Sequence, residues 1–217
     1  MNIFFKTVSW VFMPLLMPVY ALLIIFFVPS FQAETGAMNQ QLIFYTDELK
    51  WGLIITFFII GVLAPGLSFV IMRKQNMIST IEMDARKERN LPLLITVVYG
   101  VLLYGILISR AGNGILPKYV YALPLACSIH TSISFVVNRF IKMSLHASGV
   151  GILTGFIFAF CLDQVVYQFW IIVAVIVVSA LVISSRLYLK KHTPIELFLG
   201  YIISIFVTFF VTYFYPN

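Results

Sequence analysis

Apolar runs close to twenty residues long recur along the whole chain, and this feature excludes most folds. A helix needs about 20 apolar residues to cross the hydrocarbon core of a bilayer. Seven stretches have that character: 8–29, 51–72, 91–109, 119–137, 146–162, 166–184 and 195–214. Composition agrees, since 61% of the 217 residues are hydrophobic and 10% are charged. A soluble domain has roughly 45–50% and about 25%, so too few polar groups remain here to cover a water-facing surface. The expected fold is an all-α polytopic transmembrane helix bundle of six or seven spans. It forms one integral membrane domain over residues 1–217, embedded in a lipid bilayer. Intrinsic disorder is excluded. The net charge of +6 reads as topological bias or an anion site, and no nucleic-acid partner is expected. Cys127 and Cys161 lie inside apolar runs, which argues against a disulfide scaffold.

Individual spans carry further information. The first is too long for a signal-peptide core, so it reads as a mature helix, with Pro14 and Pro18 kinking it or delaying its start. Trp10, Trp51, Tyr119, Tyr121, Tyr213 and Tyr215 fall near span ends, where amphipathic rings favour the headgroup layer. The fifth is the shortest, about 26 Å at 1.5 Å per residue. It contains Gly151-Ile-Leu-Thr-Gly155, a small-xxx-small spacing that lets helix backbones approach closely. A short, glycine-lined helix fits the bundle centre better than the lipid boundary.

Charge is distributed unevenly. Of the 14 Lys and Arg residues, only Lys50, Arg110 and Lys118 fall on the side opposite the N-terminus. The other 11 share the N-terminal side, and the positive-inside rule then places the N-terminus in the cytoplasm. Three polar clusters lie on that side: E-M-D-A-R-K-E-R-N-L-P over 82–92, N-R-F-I-K-M-S-L-H-A-S-G over 138–149, and S-S-R-L-Y-L-K-K-H-T-P-I-E over 184–196. Two spans separate each cluster from the next, and an even number of crossings returns each to the same face. Together they offer Arg86, Lys87, Arg89, Lys142 and Arg186 as cations, Ser144 and Ser185 as hydroxyls, and His146 and His192 as imidazoles. Arg binds phosphate oxygens bidentately, Lys acts as a point charge, one His can attack, and the other can handle the proton. The second and third clusters also open helices, whose free N–H groups attract anions. A metal site suits these residues less, because no H-x-x-x-H or C-x-x-C pair is present and the cations would repel a divalent ion.

At these residues the sequence resembles the membrane-bound type 2 phosphatidic acid phosphatase superfamily, relatives of bacterial acid phosphatases and vanadium haloperoxidases. Its third motif is S-R, five residues, H, three residues, D. Ser185-Arg186, His192 and Glu196 match every spacing, with Glu in place of Asp. Met143-Ser144-Leu145-His146 keeps the Ser and His of the second motif, P-S-G-H, and loses its Pro and Gly. Residues 86–92, with Lys87, Arg89 and Pro92, are loosely similar to the first motif, K, six residues, R-P. The likeness covers about half the chain, with a phosphatase-like core over about 86–214. It implies that His192 attacks phosphorus, that Glu196 orients its ring, and that His146 protonates the leaving oxygen and then activates water. Arg186, Ser144, Ser185, Lys87 and Arg89 would hold the phosphoryl oxygens, with Lys142 as a substitute ligand. No metal or cofactor is implied.

Other readings stand beside these. Thr193-Pro194-Ile195-Glu196 is also a capping sequence, so Glu196 can serve the helix start as well as the histidine. His130, in mid-span, reads as a packed histidine bonded to Ser132, Ser134 or a helix carbonyl. Lys190 and Lys191 read as headgroup contacts, Arg73 and Lys74 as topology anchors, and Asp163 as a turn residue. The expected activity is hydrolysis of a lipid phosphomonoester or diphosphate. The substrate is a phospholipid or polyprenyl phosphate, in the class of phosphatidic acid, phosphatidylglycerophosphate or polyprenyl diphosphate. A lipid phosphotransferase using the same histidine step, an inactive lipid-binding relative and a transport protein are the alternatives. The expected location is a bacterial cell membrane. The charge rule places the site in the cytoplasm, whereas bacterial members of the resembled family usually face outward.

Overall fold

The computed structural model describes residues 2–32, 45–83, 85–111 and 116–216. Nine α-helices form among them: α1 Asn2–Val11, α2 Met17–Phe27, α3 Asp47–Phe57, α4 Ala64–Lys74, α5 Asn90–Ala111, α6 Lys118–Val137, α7 Leu145–Leu162, α8 Phe169–Tyr188 and α9 Pro194–Tyr213. Seven continuous stretches among the described residues are long and apolar enough to cross a membrane: Ile3–Phe27, Asp47–Lys74, Arg86–Arg110, Lys118–Val137, Leu145–Leu162, Phe169–Tyr188 and Pro194–Tyr213. The protein is therefore an all-α polytopic bundle, and each of the seven apolar runs corresponds to one of these stretches. The only pairing of strands among the described residues is a short antiparallel one between Phe31–Gln32 and Gln164–Val166.

Two spans are interrupted where proline demands it. Pro14 pushes Met13 into an extended conformation (ψ 141°), which stops α1, and a 3₁₀ turn over Pro14–Leu16 leads into α2. In the second span Pro65 has no N–H to offer the carbonyl four residues back, at Gly61. The backbone widens there into a π segment over Phe58–Leu63, and the Ala64 N–H bonds the Ile59 carbonyl, five residues back.

Helix α7 occupies the centre, with 78% of its apolar window buried against 56% or less for every other span. Glycine makes this possible. A Cβ on Gly151 would collide with the Ser204 Oγ of α9 and stand 2.6 Å from the Tyr201 carbonyl, and one on Gly155 would collide with the Ile205 carbonyl. In the other direction, a Cβ on Gly200 of α9 would stand 2.8 Å from the Ser144 carbonyl, and one on Gly149 would stand 2.8 Å from the Cα of Pro14. The central placement expected of the fifth span is what the structure has.

At the face opposite the three clusters, Lys118 Nζ pairs with the Asp163 carboxylate at 2.7 Å, and the Tyr119 hydroxyl donates to the same oxygen at 3.0 Å. Asp163 follows α7 in a turn, as expected, but it also ties α6 to that turn by an ion pair. Inserting a side chain at the α7–α9 crossing tests the packing. Gly155→Leu should lower unfolding stability in mixed micelles by about 1–3 kcal/mol or more. Gly105→Ala has open space around the new methyl and should be neutral or stabilising by up to ~1 kcal/mol.

Candidate functional site

The three polar clusters meet. Arg89 is buried, and its guanidinium donates to the Met83 carbonyl at 2.9 Å and to the Met143 carbonyl at 2.6 Å. Arg86 donates to the Phe140 carbonyl at 2.7 Å, and the Asn138 amide donates to the Arg86 carbonyl at 3.0 Å. The second and third clusters join where the Ser144 N–H bonds the Glu196 carbonyl at 3.2 Å and Lys142 Nζ reaches the Lys191 carbonyl at 3.5 Å. Backbone and side-chain bonds thus hold three sequence-distant segments in one layer at the end of the bundle. Asp84, in the first cluster, lies outside the described residues.

Glu196 serves two purposes at once. Thr193 and Glu196 form a reciprocal capping box at the start of α9, with the Thr193 N–H bonding Glu196 Oε2 at 3.2 Å. The same Oε2 lies 2.8 Å from His192 Nδ1. A carboxylate oxygen accepts, so Nδ1 is the protonated nitrogen and Nε2 keeps its lone pair. Burial pushes the His192 imidazole down to about 4. The Glu196 hydrogen bond acts in the opposite direction, and the positive charges of Arg89, Lys142 and Arg186 add to the lowering. The ring is therefore neutral at physiological pH.

His146, in the first turn of α7, owes its orientation to the break in the first span. Once α1 ends at Val11, its last carbonyls lack helical partners. Tyr20 donates to the Val11 carbonyl at 2.8 Å, and His146 Nε2 lies 3.2 Å from the Ser9 carbonyl. A carbonyl only accepts, so Nε2 carries the hydrogen and Nδ1 is the nitrogen left for chemistry.

His146, His192, Arg89 and Arg186 all line one cavity of about 470 Å³. Its mouth also holds Glu82, whose carboxylate lies 3.4 Å from the Arg186 guanidinium and 3.6 Å from Lys191 Nζ. From there it descends between the broken first span, the π segment, α5, α6 and α7 to Phe57, Gly100 and Leu103. Counting from Arg89 to Leu103 at 1.5 Å per residue, it reaches about 20 Å into the bundle. A charged mouth above an apolar shaft suits an amphiphile with an anionic head.

The other expected phosphate ligands are placed differently. Ser144 is fully buried, and its Oγ accepts from the Ala147 N–H at 3.4 Å as the N-cap of α7. Ser185 is also fully buried; its hydroxyl donates to the Val182 carbonyl and lies 3.2 Å from Ser9 Oγ. Neither lines the cavity, and each hydroxyl is committed to a backbone group close to it in sequence. Lys142 lies outside the lining and acts on His192 through its charge. Lys87 is exposed and outside the lining. Conversely, Lys191 and Arg73, read from sequence as a headgroup contact and a topology anchor, line the cavity, as do Glu82, Ser9 and His130. Glu82 and Lys191 lie within the quoted clusters, yet no spacing rule singles them out. Among the described residues there is no group of three His, Cys, Asp or Glu side chains placed to hold a metal ion. No protein-family model, no curated protein and no solved structure matches the chain.

The tautomer and the low proton affinity of His192 are directly measurable. Nitrogen-15 histidine NMR should find its ring neutral with Nδ1 protonated at pH 7, and charging only as the pH falls toward about 4. Glu196→Gln should move that midpoint lower still, since the carboxylate is the group that favours the imidazolium. A midpoint near 6.5 would contradict this description of the site.

Proposed function

We propose that the protein is a membrane lipid phosphatase that hydrolyses the phosphate of an amphiphile at the membrane surface through a phosphohistidine at His192. One observation carries the reading. The His192 ring is held by Glu196 through Nδ1, 2.8 Å away, and lines the same cavity as a second imidazole and two buried cations, Arg89 and Arg186. That arrangement has a nucleophile, a proton carrier and an anion clamp, and the resemblance to the type 2 phosphatidic acid phosphatases predicts the same division of labour.

The steps balance without a cofactor. The lone pair on His192 Nε2 forms a bond to phosphorus as the bond from phosphorus to the lipid oxygen breaks. Glu196 stabilises the positive charge that the ring acquires. His146, which takes up a second proton on Nδ1 along with the incoming phosphate, gives it to the departing oxygen, and the freed lipid alcohol leaves. Water then attacks phosphorus, His146 accepts its proton, and the bond between phosphorus and nitrogen breaks, restoring both rings. Phosphoryl transfer spreads negative charge over the equatorial oxygens, so positioned cations contribute most of the catalysis. Arg186, Arg89 and Lys191 are the cations at the mouth. The phosphate in turn offsets their charge around His146.

Transfer to a lipid hydroxyl instead of water is the second reading; it shares the first half-reaction and differs only in the acceptor. Transport is less well supported, since the cationic groups gather at one end of the bundle. Transporters usually place ionisable groups near the midplane, in paired broken helices. For location, the excess of Lys and Arg on the N-terminal side supports a cytoplasmic site, and the proposed membrane is a bacterial inner membrane. Single cysteines introduced at 30–39, of which 33–39 lie outside the described residues, should then be labelled from outside intact cells. No labelling there would reverse the orientation.

With phosphatidic acid, phosphatidylglycerophosphate and a polyprenyl diphosphate as substrates, the purified protein should release phosphate from at least one. His192→Ala should release none, and His146→Ala should lose about 10²–10⁴-fold, both eluting as the parent does. Parent-like rates from both variants would remove the histidine mechanism, and an inert parent would favour a lipid-binding role.

A further inference from the structure

Below the charged mouth the cavity is lined mainly by apolar side chains, with one imidazole and the hydroxyls of Thr96, Tyr99, Thr131, Ser134 and Ser148. His130 is only 3% exposed and faces the cavity from α6, among Cys127, Thr131 and Ser134. It sits seven residues before the helix ends at Val137, about 10 Å from that end at 1.5 Å per residue. Arg186 sits two residues from the end of α8 at Tyr188, so with the ends of α6 and α8 taken level His130 lies roughly 7 Å deeper. Neighbouring hydroxyls are already committed. Ser128 donates to the Pro124 carbonyl at 2.7 Å and Thr131 to the Cys127 carbonyl at 2.7 Å. His130 Nε2 lies 3.4 Å from Ser134 Oγ, and among the described residues nothing hydrogen-bonds its Nδ1. When the Ser134 hydroxyl donates to Nε2, the neutral ring must carry its hydrogen on Nδ1, a donor facing the cavity. An ionisable side chain inside a membrane span calls for a partner, and burying a donor without an acceptor is unfavourable.

We infer that His130 Nδ1 donates to an acyl-ester carbonyl of the bound lipid, making this residue a determinant of substrate class. The inference rests on the phosphatase reading for the position of the headgroup and deepens it. The covalent path from phosphorus to the nearest ester carbonyl oxygen of a glycerolipid spans roughly 7 Å at ordinary bond lengths. That matches the depth of His130 below Arg186. A phosphate held at the mouth thus brings the ester oxygen to the imidazole and leaves the acyl chains in the apolar shaft against Phe57 and Leu103. A polyprenyl diphosphate has only hydrocarbon at that depth and offers the N–H nothing. The substrate class assigned is therefore a diacyl glycerophosphate.

The test compares dioleoyl phosphatidic acid with its diether analogue, which has the same head and chains but no carbonyls. Binding to the full-length protein in detergent is measured by native mass spectrometry, and phosphate release is measured in parallel. The parent should bind the ester about tenfold more tightly, the effect of one hydrogen bond in a buried site. His130→Phe should equalise the two lipids, whereas His130→Asn, which keeps a donor near the position of Nδ1, should retain part of the preference. If the Phe variant does not fold, the parent ratio and the Asn variant decide. Equal affinity in the parent, or an unchanged ratio in the Phe variant, overturns the inference and assigns the Nδ1 hydrogen to water. Ester-selective binding with no phosphate released would remove the phosphatase reading and leave the His130 contact standing. Phosphate release without ester selectivity would do the reverse.

Discussion

The close crossing of α7 and α9 is the contact on which the rest of the structure depends. Lipid chains are as apolar as leucine, so helices in a bilayer gain little by hiding hydrophobic surface from one another. Their association relies on close packing and interhelical hydrogen bonds. Gly151 and Gly155 supply the first against the backbone of α9. Ser148, whose hydroxyl bonds the Gly200 carbonyl at 3.3 Å, supplies the second. Because Gly200 also fits against the Ser144 carbonyl, the starts of α7 and α9 lie side by side. His146 stands just inside one start, and His192 and Glu196 flank the other. Helix packing thus sets where His146 stands relative to the start of α9, and the capping turn that Thr193 and Glu196 form holds His192 beside it.

Buried charge at this end is managed locally. Arg89 gives hydrogen bonds to two backbone carbonyls of neighbouring segments, so one cation fastens two polar clusters while its charge stays at the cavity wall. Arg186 is 3% exposed and shares the Glu82 carboxylate with Lys191. A buried cation without such partners would be strongly destabilising. The proline break in the first span belongs to the same economy. It leaves the Ser9 carbonyl without a helical partner, and His146 satisfies that carbonyl while being held in one orientation.

Much of this was legible in the sequence, for reasons that differ by level. Hydropathy identifies which segments cross, and crossing parity brings the three clusters to one face. Spacing within one helix turn links His192 to Glu196, since residues four apart at a helix start lie next to each other. The small-xxx-small pair at Gly151 and Gly155 marks the central helix. Sequence patterns do not report how far each helix is rotated about its own axis. That rotation turns Ser185 away from the cavity and brings in Arg73 and His130, while Lys191 enters from the connection between α8 and α9. Nor does a motif show that a hydroxyl is needed for capping: Ser144 sits where α7 begins, and the orphaned N–H groups there claim its oxygen. The π segment follows from Pro65, but its position against the cavity depends on packing that no local pattern encodes.

The proportions of the cavity bear on the substrate independently of the resemblance. A water-soluble phosphate ester would need only the mouth, where the imidazoles and cations lie. The shaft below it runs about 20 Å into the bundle past Gly100 and Leu103. A bundle whose other interior positions are packed with Phe156, Phe160 and Tyr119 at 1% exposure or less has no packing reason to keep that space open. Gly61 and Gly100 present no side chain to the shaft, and a Cβ on Gly100 would collide with the Ser128 hydroxyl of the opposing helix. The shaft is therefore walled by close helix contacts and does not arise from loose packing. Its length matches a hydrocarbon chain far better than a sugar or a nucleoside. In the proposed lipid phosphatase, head recognition at the surface and chain recognition in the interior would act on one molecule, with the buried imidazole of α6 where the two regions meet.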